Sequence, residues 1–369
     1  MTASHNPLRR LNALGQSVWC DNIHRGMLTS GGLANMIETD DLRGVTSNPS
    51  IFDKAISTTD EYDEQLRQEV QQRPDQSGRE LFFALACEDI RNAADVMSPV
   101  YEASGGVDGM ISLEVSPDLA HDSEATVAEA RALWARLERP NVMIKVPATV
   151  ACLPAIEELI ADGINVNITL LFAVERYEAV AEAYIRGLER RLEQGLPVER
   201  IASVASFFVS RVDSALDPLL ADKRPEWQGK LAIANAKLAY LRYQAIFNTP
   251  RFEKLRQAGA LDQRLLWAST GVKNPAYPDL LYVETLIGSN TVNTMPPATY
   301  EAFREAGRVA QTLESGLEEA RTQVAGLAEL GIDLKAVTDR LEEEGVAVFA
   351  KAFDNLLHHI EGKTAALAV

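Results

Sequence analysis

The chain has 369 residues, and its 36 Lys and Arg against 53 Asp and Glu leave a net charge of −17. With 46% hydrophobic and 24% charged residues it has the composition of a folded globular protein, which excludes wholesale disorder. The acidic balance argues against binding nucleic acid or an anionic membrane, and no apolar run approaches the ~18 residues of a membrane span. An anionic substrate must therefore meet a local cluster of cations. Cys20, Cys87 and Cys152 make no disulfide framework and fit a reducing compartment. The first residues carry no signal-peptide pattern, so the expected location is the cytoplasm.

Taken in chain order, short apolar runs alternate with helical patterns. Residues 17–23 and 43–48 are the first two strand candidates, and 109–115 is the third. A helix carrying Val127, Ala130, Trp134 and Leu137 follows. Residues 141–147 are β-rich and closed by Pro147. A helix over about 154–162 comes next, with Pro154 in its first turn and Gly163 as its stop. Residues 164–172 alternate apolar and polar as a strand, and Tyr177, Val180, Tyr184, Leu188 and Leu192 then recur at helical spacing. Residues 201–209, 264–269 and 291–295 complete eight strand candidates.

Eight such units predict a closed parallel (β/α)8 TIM barrel with helices outside. An open doubly wound sheet is the rival, but no Gly-x-Gly-x-x-Gly loop follows an early strand. The expected domain is a single barrel over 1–369, its strands spanning about 17–297. A helical insert is predicted over about 212–259. Helices over about 300–361, with Phe349, Phe353, Leu356 and Ile360 on one apolar face, would pack on the barrel exterior or its mouth.

In such a barrel the active site lies where the C-terminal strand ends meet. Polar residues at or near those ends are Asp21, Asn48, Glu114, Lys145, Asn167, Thr169, Ser206 and Ser269. Lys145 lies in an apolar run, where desolvation favours the neutral amine that imine chemistry needs. Taken alone, it reads more readily as a snorkelling or carboxylate-paired lysine. Glu114 and Asp21 are carboxylates that could move protons in carbonyl chemistry, or simply a salt-bridge partner and a solvated loop acid. Asn167 and Thr169, two apart on one strand, share a face. Arg211 and Lys273 follow the sixth and seventh strands, where barrels often hold phosphate. His358-His359 has no companion ligands at metal-binding spacing, so no metal is expected.

Five segments in this order resemble the transaldolase family. They are Thr46-Ser47-Asn48-Pro49-Ser50, Ile111-Ser112-Leu113-Glu114-Val115, residues 143–149 around Lys145, residues 163–172 around Asn167 and Thr169, and Ser206-Phe207-Phe208-Val209-Ser210-Arg211. The longer chain is similar to bacterial transaldolases with an extended C-terminal half, within the Schiff-base-forming class I aldolases. The resemblance implies a transferase of the pentose phosphate pathway that moves a dihydroxyacetone unit between sugar phosphates. Lys145 would form the Schiff base and Asp21, on the first strand, would be general base and acid. Glu114 and Thr169 would hold a catalytic water. Asn48, Asn167, Ser206 and Phe208 would bind the three-carbon unit, and Arg211 the phosphate. The iminium is itself the electron sink, so no cofactor is expected.

Two departures stand out. Family members often carry Ala-Ser-Phe-Arg at the seventh strand, where this chain reads Ala268-Ser269-Thr270-Gly271-Val272-Lys273; Lys273 would take the place of the arginine, beside Ser269. Asp21 is flanked by Cys20 and Asn22 in place of the more usual alanine and threonine. The rivals are a related aldolase that releases free dihydroxyacetone, and a non-catalytic barrel. Monomer and homodimer are both open.

Overall fold

The computed structural model describes residues 6–367. Eight parallel strands close into a barrel in chain order. They are β1 (Gln16–Cys20), β2 (Gly44–Val45), β3 (Met110–Glu114), β4 (Val142–Pro147), β5 (Val166–Leu171), β6 (Ser203–Phe208), β7 (Arg264–Ala268) and β8 (Thr291–Met295). Pairing of β1 with both β2 and β8 leaves no free edge. Every strand residue is buried, because side chains fill the barrel on one face and meet helices on the other.

The strands are shorter than the sequence suggests where a helix cap competes with them. The run predicted over 17–23 leaves the sheet after Cys20, and His24 Nδ1 then accepts from Met27 N at 3.2 Å to start a helix. Asp21 thus lies one residue beyond β1, not on it. Its amide still donates to Met295 O at 2.8 Å, which fixes it at the barrel mouth. The run predicted over 43–48 forms only two strand residues. Asn48 caps the helix Pro49–Thr58 by accepting from Ile51 N, and Pro49 suits that helix's first turn. In β5 the register shifts between Ile168 and Leu171, where Leu170 has φ +64°.

The helix predicted over 154–162 is Leu153–Asp162, and Gly163 ends it at φ +85°. The insert predicted over 212–259 is three helices, Ser210–Leu220, Leu231–Phe247 and Pro250–Gln257. A long helix, Gly78–Ala103, opens with a Ser77–Glu80 capping box and packs beside β3; the strand-based reading did not anticipate it. The C-terminal part forms Pro297–Ala306, Leu317–Glu329 and Leu334–Leu367. The last of these runs over the barrel mouth. Its buried stripe of Leu341, Gly345, Phe349, Phe353, Leu356 and Ile360 meets the helices Pro49–Thr58 and Gly78–Ala103 and the end of β5. His359 pairs with Asp53 and Lys363 with Asp63, and Lys363 also donates to Ile56 O at 2.9 Å. Of the His358-His359 pair, His359 docks this helix, while His358 Nδ1 lies 2.7 Å from Asp354 O in its own helix.

Asp213, in the first insert helix, is 1% exposed. It accepts from Ala232 N at 2.7 Å and Tyr282 Oη at 2.9 Å, and no cation among the described residues pairs with it. Burial pushes its carboxyl up to about 7 from an ordinary value near 3.8. The native state keeps this proton where the unfolded chain has lost it. Stability from this group therefore falls as pH rises from about 4 to about 7, then levels off. Asp213→Asn keeps the shape without the charge. In thermal unfolding its stability relative to wild type should rise by on the order of 3 kcal/mol between pH 5 and pH 8. An equal loss between the two pH values in both proteins would show that Asp213 does not titrate this way.

Candidate active site

A cavity of about 220 Å³ opens at the C-terminal mouth of the barrel. Asp21, Asn48, Lys145, Thr169, Ser206, Phe208, Arg211, Ser269 and Lys273 all line it. Glu114 stands directly behind Lys145, opposite it in the β3–β4 register. Asn167 lies deeper: it accepts from Ser206 Oγ at 2.7 Å and donates to Ser112 Oγ at 3.0 Å, so it holds Ser206 in place without reaching the cavity wall.

Lys145 is 5% exposed. Its Nζ donates to Ser47 O at 3.1 Å and lies 3.5 Å from Glu114 Oε2. Burial pushes the Glu114 carboxyl up to about 7, while the lysine's charge holds it back. A carboxyl of that strength can both take and give a proton at neutral pH. Glu114 Oε2 and Thr169 Oγ1 are buried polar atoms without a hydrogen-bond partner in the protein. Such atoms call for a ligand or a water.

Asp21 is pushed above its ordinary value by burial, and Lys145 and a hydrogen bond from Thr46 oppose that rise. Thr46 Oγ1 donates to Asp21 Oδ1 at 2.6 Å and lies 2.7 Å from Thr294 Oγ1. The Thr46 proton is committed to the carboxylate, so Thr294 must donate to Thr46. The aspartate is thereby held by a chain of hydroxyls, Thr46 just past β2 and Thr294 in β8.

Two cations stand at the mouth just beyond β6 and β7. The Arg211 guanidinium sits 5.3 Å from the centroid of the Phe208 ring, and it is half-buried without a carboxylate partner among the described residues. Lys273, in the loop after β7, is exposed and likewise has no acid partner there. In a chain with 53 acidic residues, two cations without an acid partner among the described residues stand beside this cavity, an arrangement able to receive an anion. Ser269 turns the chain there with φ +55°, its Oγ 3.0 Å from Ser210 Oγ. Cys20, beside Asp21, is 3% exposed, and burial pushes its thiol up to about 12, which leaves it unreactive.

Comparison with known proteins completes this picture. The family model described as "Transaldolase/Fructose-6-phosphate aldolase" matches residues 18–360. The chain belongs to the transaldolase/fructose-6-phosphate aldolase family. It is 51% identical over 359 residues to a transaldolase of Parafrankia sp. (strain EAN1pec), covering 96% of this chain and 97% of that one. It is 48% identical over 366 residues to a transaldolase of Thermobifida fusca (strain YX), covering 98% and 99%. A "Transaldolase 2" of Nostoc punctiforme is 44% identical over 380 residues, covering 99% of both. Seen as a member of this family, the chain has site residues that the strand-end reading passed over. Thr294 and Phe349 line the cavity as well. Thr294 falls within β8, a strand candidate from which no site residue was drawn, and Phe349 was visible only as part of a helical stripe.

Proposed function

We propose that the protein is a transaldolase of the pentose phosphate pathway, acting in the cytoplasm. It moves a dihydroxyacetone unit between sedoheptulose 7-phosphate and glyceraldehyde 3-phosphate, giving erythrose 4-phosphate and fructose 6-phosphate. The barrel with its insert and C-terminal helices acts as one domain. The observation that carries this reading is the buried Lys145–Glu114 pair at one cavity with two cations that have no acid partner among the described residues.

The chemistry follows from these groups. Lys145 Nζ adds to the ketone carbon of the donor. Glu114 and Thr169 hold a water that shuttles the protons needed to expel hydroxide from the carbinolamine as water, leaving an iminium. Asp21 takes the proton of the hydroxyl two carbons from the iminium. The carbon–carbon bond breaks, its electron pair enters the iminium, and the aldehyde departs from an enamine. The enamine then attacks the acceptor aldehyde, and Asp21 returns the proton to the new alkoxide. Asn48 and Ser206 bind the hydroxyls of the three-carbon unit, and Asn167 orients Ser206. Phe208 walls that unit and holds Arg211, which binds the phosphate together with Lys273 and Ser269.

A transaldolase needs an acceptor. Fructose 6-phosphate should be consumed only when erythrose 4-phosphate is supplied, and equal consumption without it would favour the aldolase that releases dihydroxyacetone. The phosphate site is tested by kinetics. Arg211→Ala should raise KM for phosphorylated substrates about 10–100-fold, the worth of a partly buried charged hydrogen bond. Lys273→Ala should raise it up to about fivefold, because its cation is exposed. Both should change KM more than kcat. An unchanged KM removes the residue concerned from the site.

A further inference from the structure

The last helix brings an aromatic side chain to a cavity otherwise built from strand ends and loops. Phe349 is 8% exposed, and its ring centroid lies 5.7 Å from Lys145 Nζ. It is held from both sides along its own helix. One turn on, Phe353 packs edge-on against Phe82, which packs edge-on against Phe52, each at 5.5 Å. One turn back, the helix passes so close to β5 that a Cβ on Gly345 would lie 2.9 Å from Leu170 Cδ2 and the leucine tip would have to shift. Leu170 is the φ +64° residue next to Thr169. The ring is therefore fixed over the lysine by packing, in a part of the chain that supplies none of the proposed proton-transfer groups.

We propose that Phe349 is a positioning residue that keeps bulk water off the enamine on Lys145 and so sets how much dihydroxyacetone is transferred and how much is released. This rests on the Schiff-base reading above. The enamine has two fates. In transfer, its carbon forms a bond to the acceptor's aldehyde carbon, and the aldehyde oxygen takes a proton from Asp21. In release, the same carbon takes a proton from solvent and becomes the iminium of dihydroxyacetone. Water then adds to the imine carbon, the carbon–nitrogen bond breaks, and its electron pair returns to the lysine nitrogen. The fates diverge at the solvent proton. An apolar ring has no group that can relay one, whereas a gap in its place admits a chain of waters. The face of the ring also favours a cation at the lysine nitrogen, as ammonium or iminium.

The test compares wild type with Phe349→Val and Phe349→Ala. Each is given fructose 6-phosphate with and without erythrose 4-phosphate, and borohydride trapping on Lys145 is run beside the assay. The ratio of released dihydroxyacetone to transferred unit should rise with the volume removed, reaching roughly tenfold in the alanine variant. The trapped adduct should persist in every variant. A ratio within twofold of wild type in the folded variants, with wild-type adduct present, overturns this proposal alone. If the alanine variant does not fold, the valine variant decides. Absence of an adduct on wild-type Lys145 overturns the Schiff-base reading and this proposal with it.

Discussion

Lys145→Ala is expected to lose turnover by at least ~10⁴-fold, because it removes the bond-forming atom and not one of several supporting contacts. Wild type incubated with fructose 6-phosphate and borohydride should carry a reduced three-carbon adduct on the peptide containing Lys145, and the variant should carry none. The variant should also keep its fold, which does not follow from burial alone. Removing one partner of a buried ion pair usually costs about 3–5 kcal/mol, because a charge is stranded. Here the partner left behind is Glu114, whose carboxyl already sits at about 7 and loses the lysine that lowered it. It answers by keeping its proton. The variant's loss of stability should therefore be small at pH 6 and grow by pH 8, where the neutral form becomes costly to hold. Wild-type turnover in Lys145→Ala would refute the imine mechanism outright.

Much of this site could be read in the sequence because the physics that places it is local. Lys145 is a polar residue inside an apolar run, and Gly163 stops a helix by a backbone preference of its own. The strand over 291–295 and the helix after Gly163's strand need only their own periodicity. What stayed hidden depends on closure of the barrel. Asp21 leaves the sheet because a helix cap at His24 competes with β propensity. The hydroxyl chain to Asp21 joins Thr46 of one segment to Thr294 of another, which meet only when β1 pairs with β8. Asn167 is a binding residue by the resemblance alone; its bonds to Ser112 and Ser206 join three strands and could not be read from its own. Phe349 reads correctly as part of an apolar helical face, but nothing local says that this face lies over a lysine.

Asp21→Asn tests the next step, because it should stop the reaction after the imine forms. The amide keeps the carboxylate's shape, and its oxygen can still accept from Thr46. It cannot take the hydroxyl proton that must leave before the carbon–carbon bond breaks. Loss of a general base of this kind costs about 10²–10⁴-fold in turnover. Formation of the imine depends on Lys145 and Glu114, on the other side of the lysine nitrogen, so the adduct should still form. Its composition then reports the block. Trapped with fructose 6-phosphate, the variant should carry the intact six-carbon phosphate on Lys145, where wild type carries the three-carbon remnant left after cleavage. Burial and the nearby lysine pull the acidity of Asp21 in opposite directions. The iminium's positive charge favours the carboxylate form of Asp21 at the one step where it must take the hydroxyl proton, against the rise that burial imposes. A three-carbon adduct in the variant, with turnover reduced less than tenfold, would place the base elsewhere and leave Asp21 as a residue that only supports the charge on Lys145.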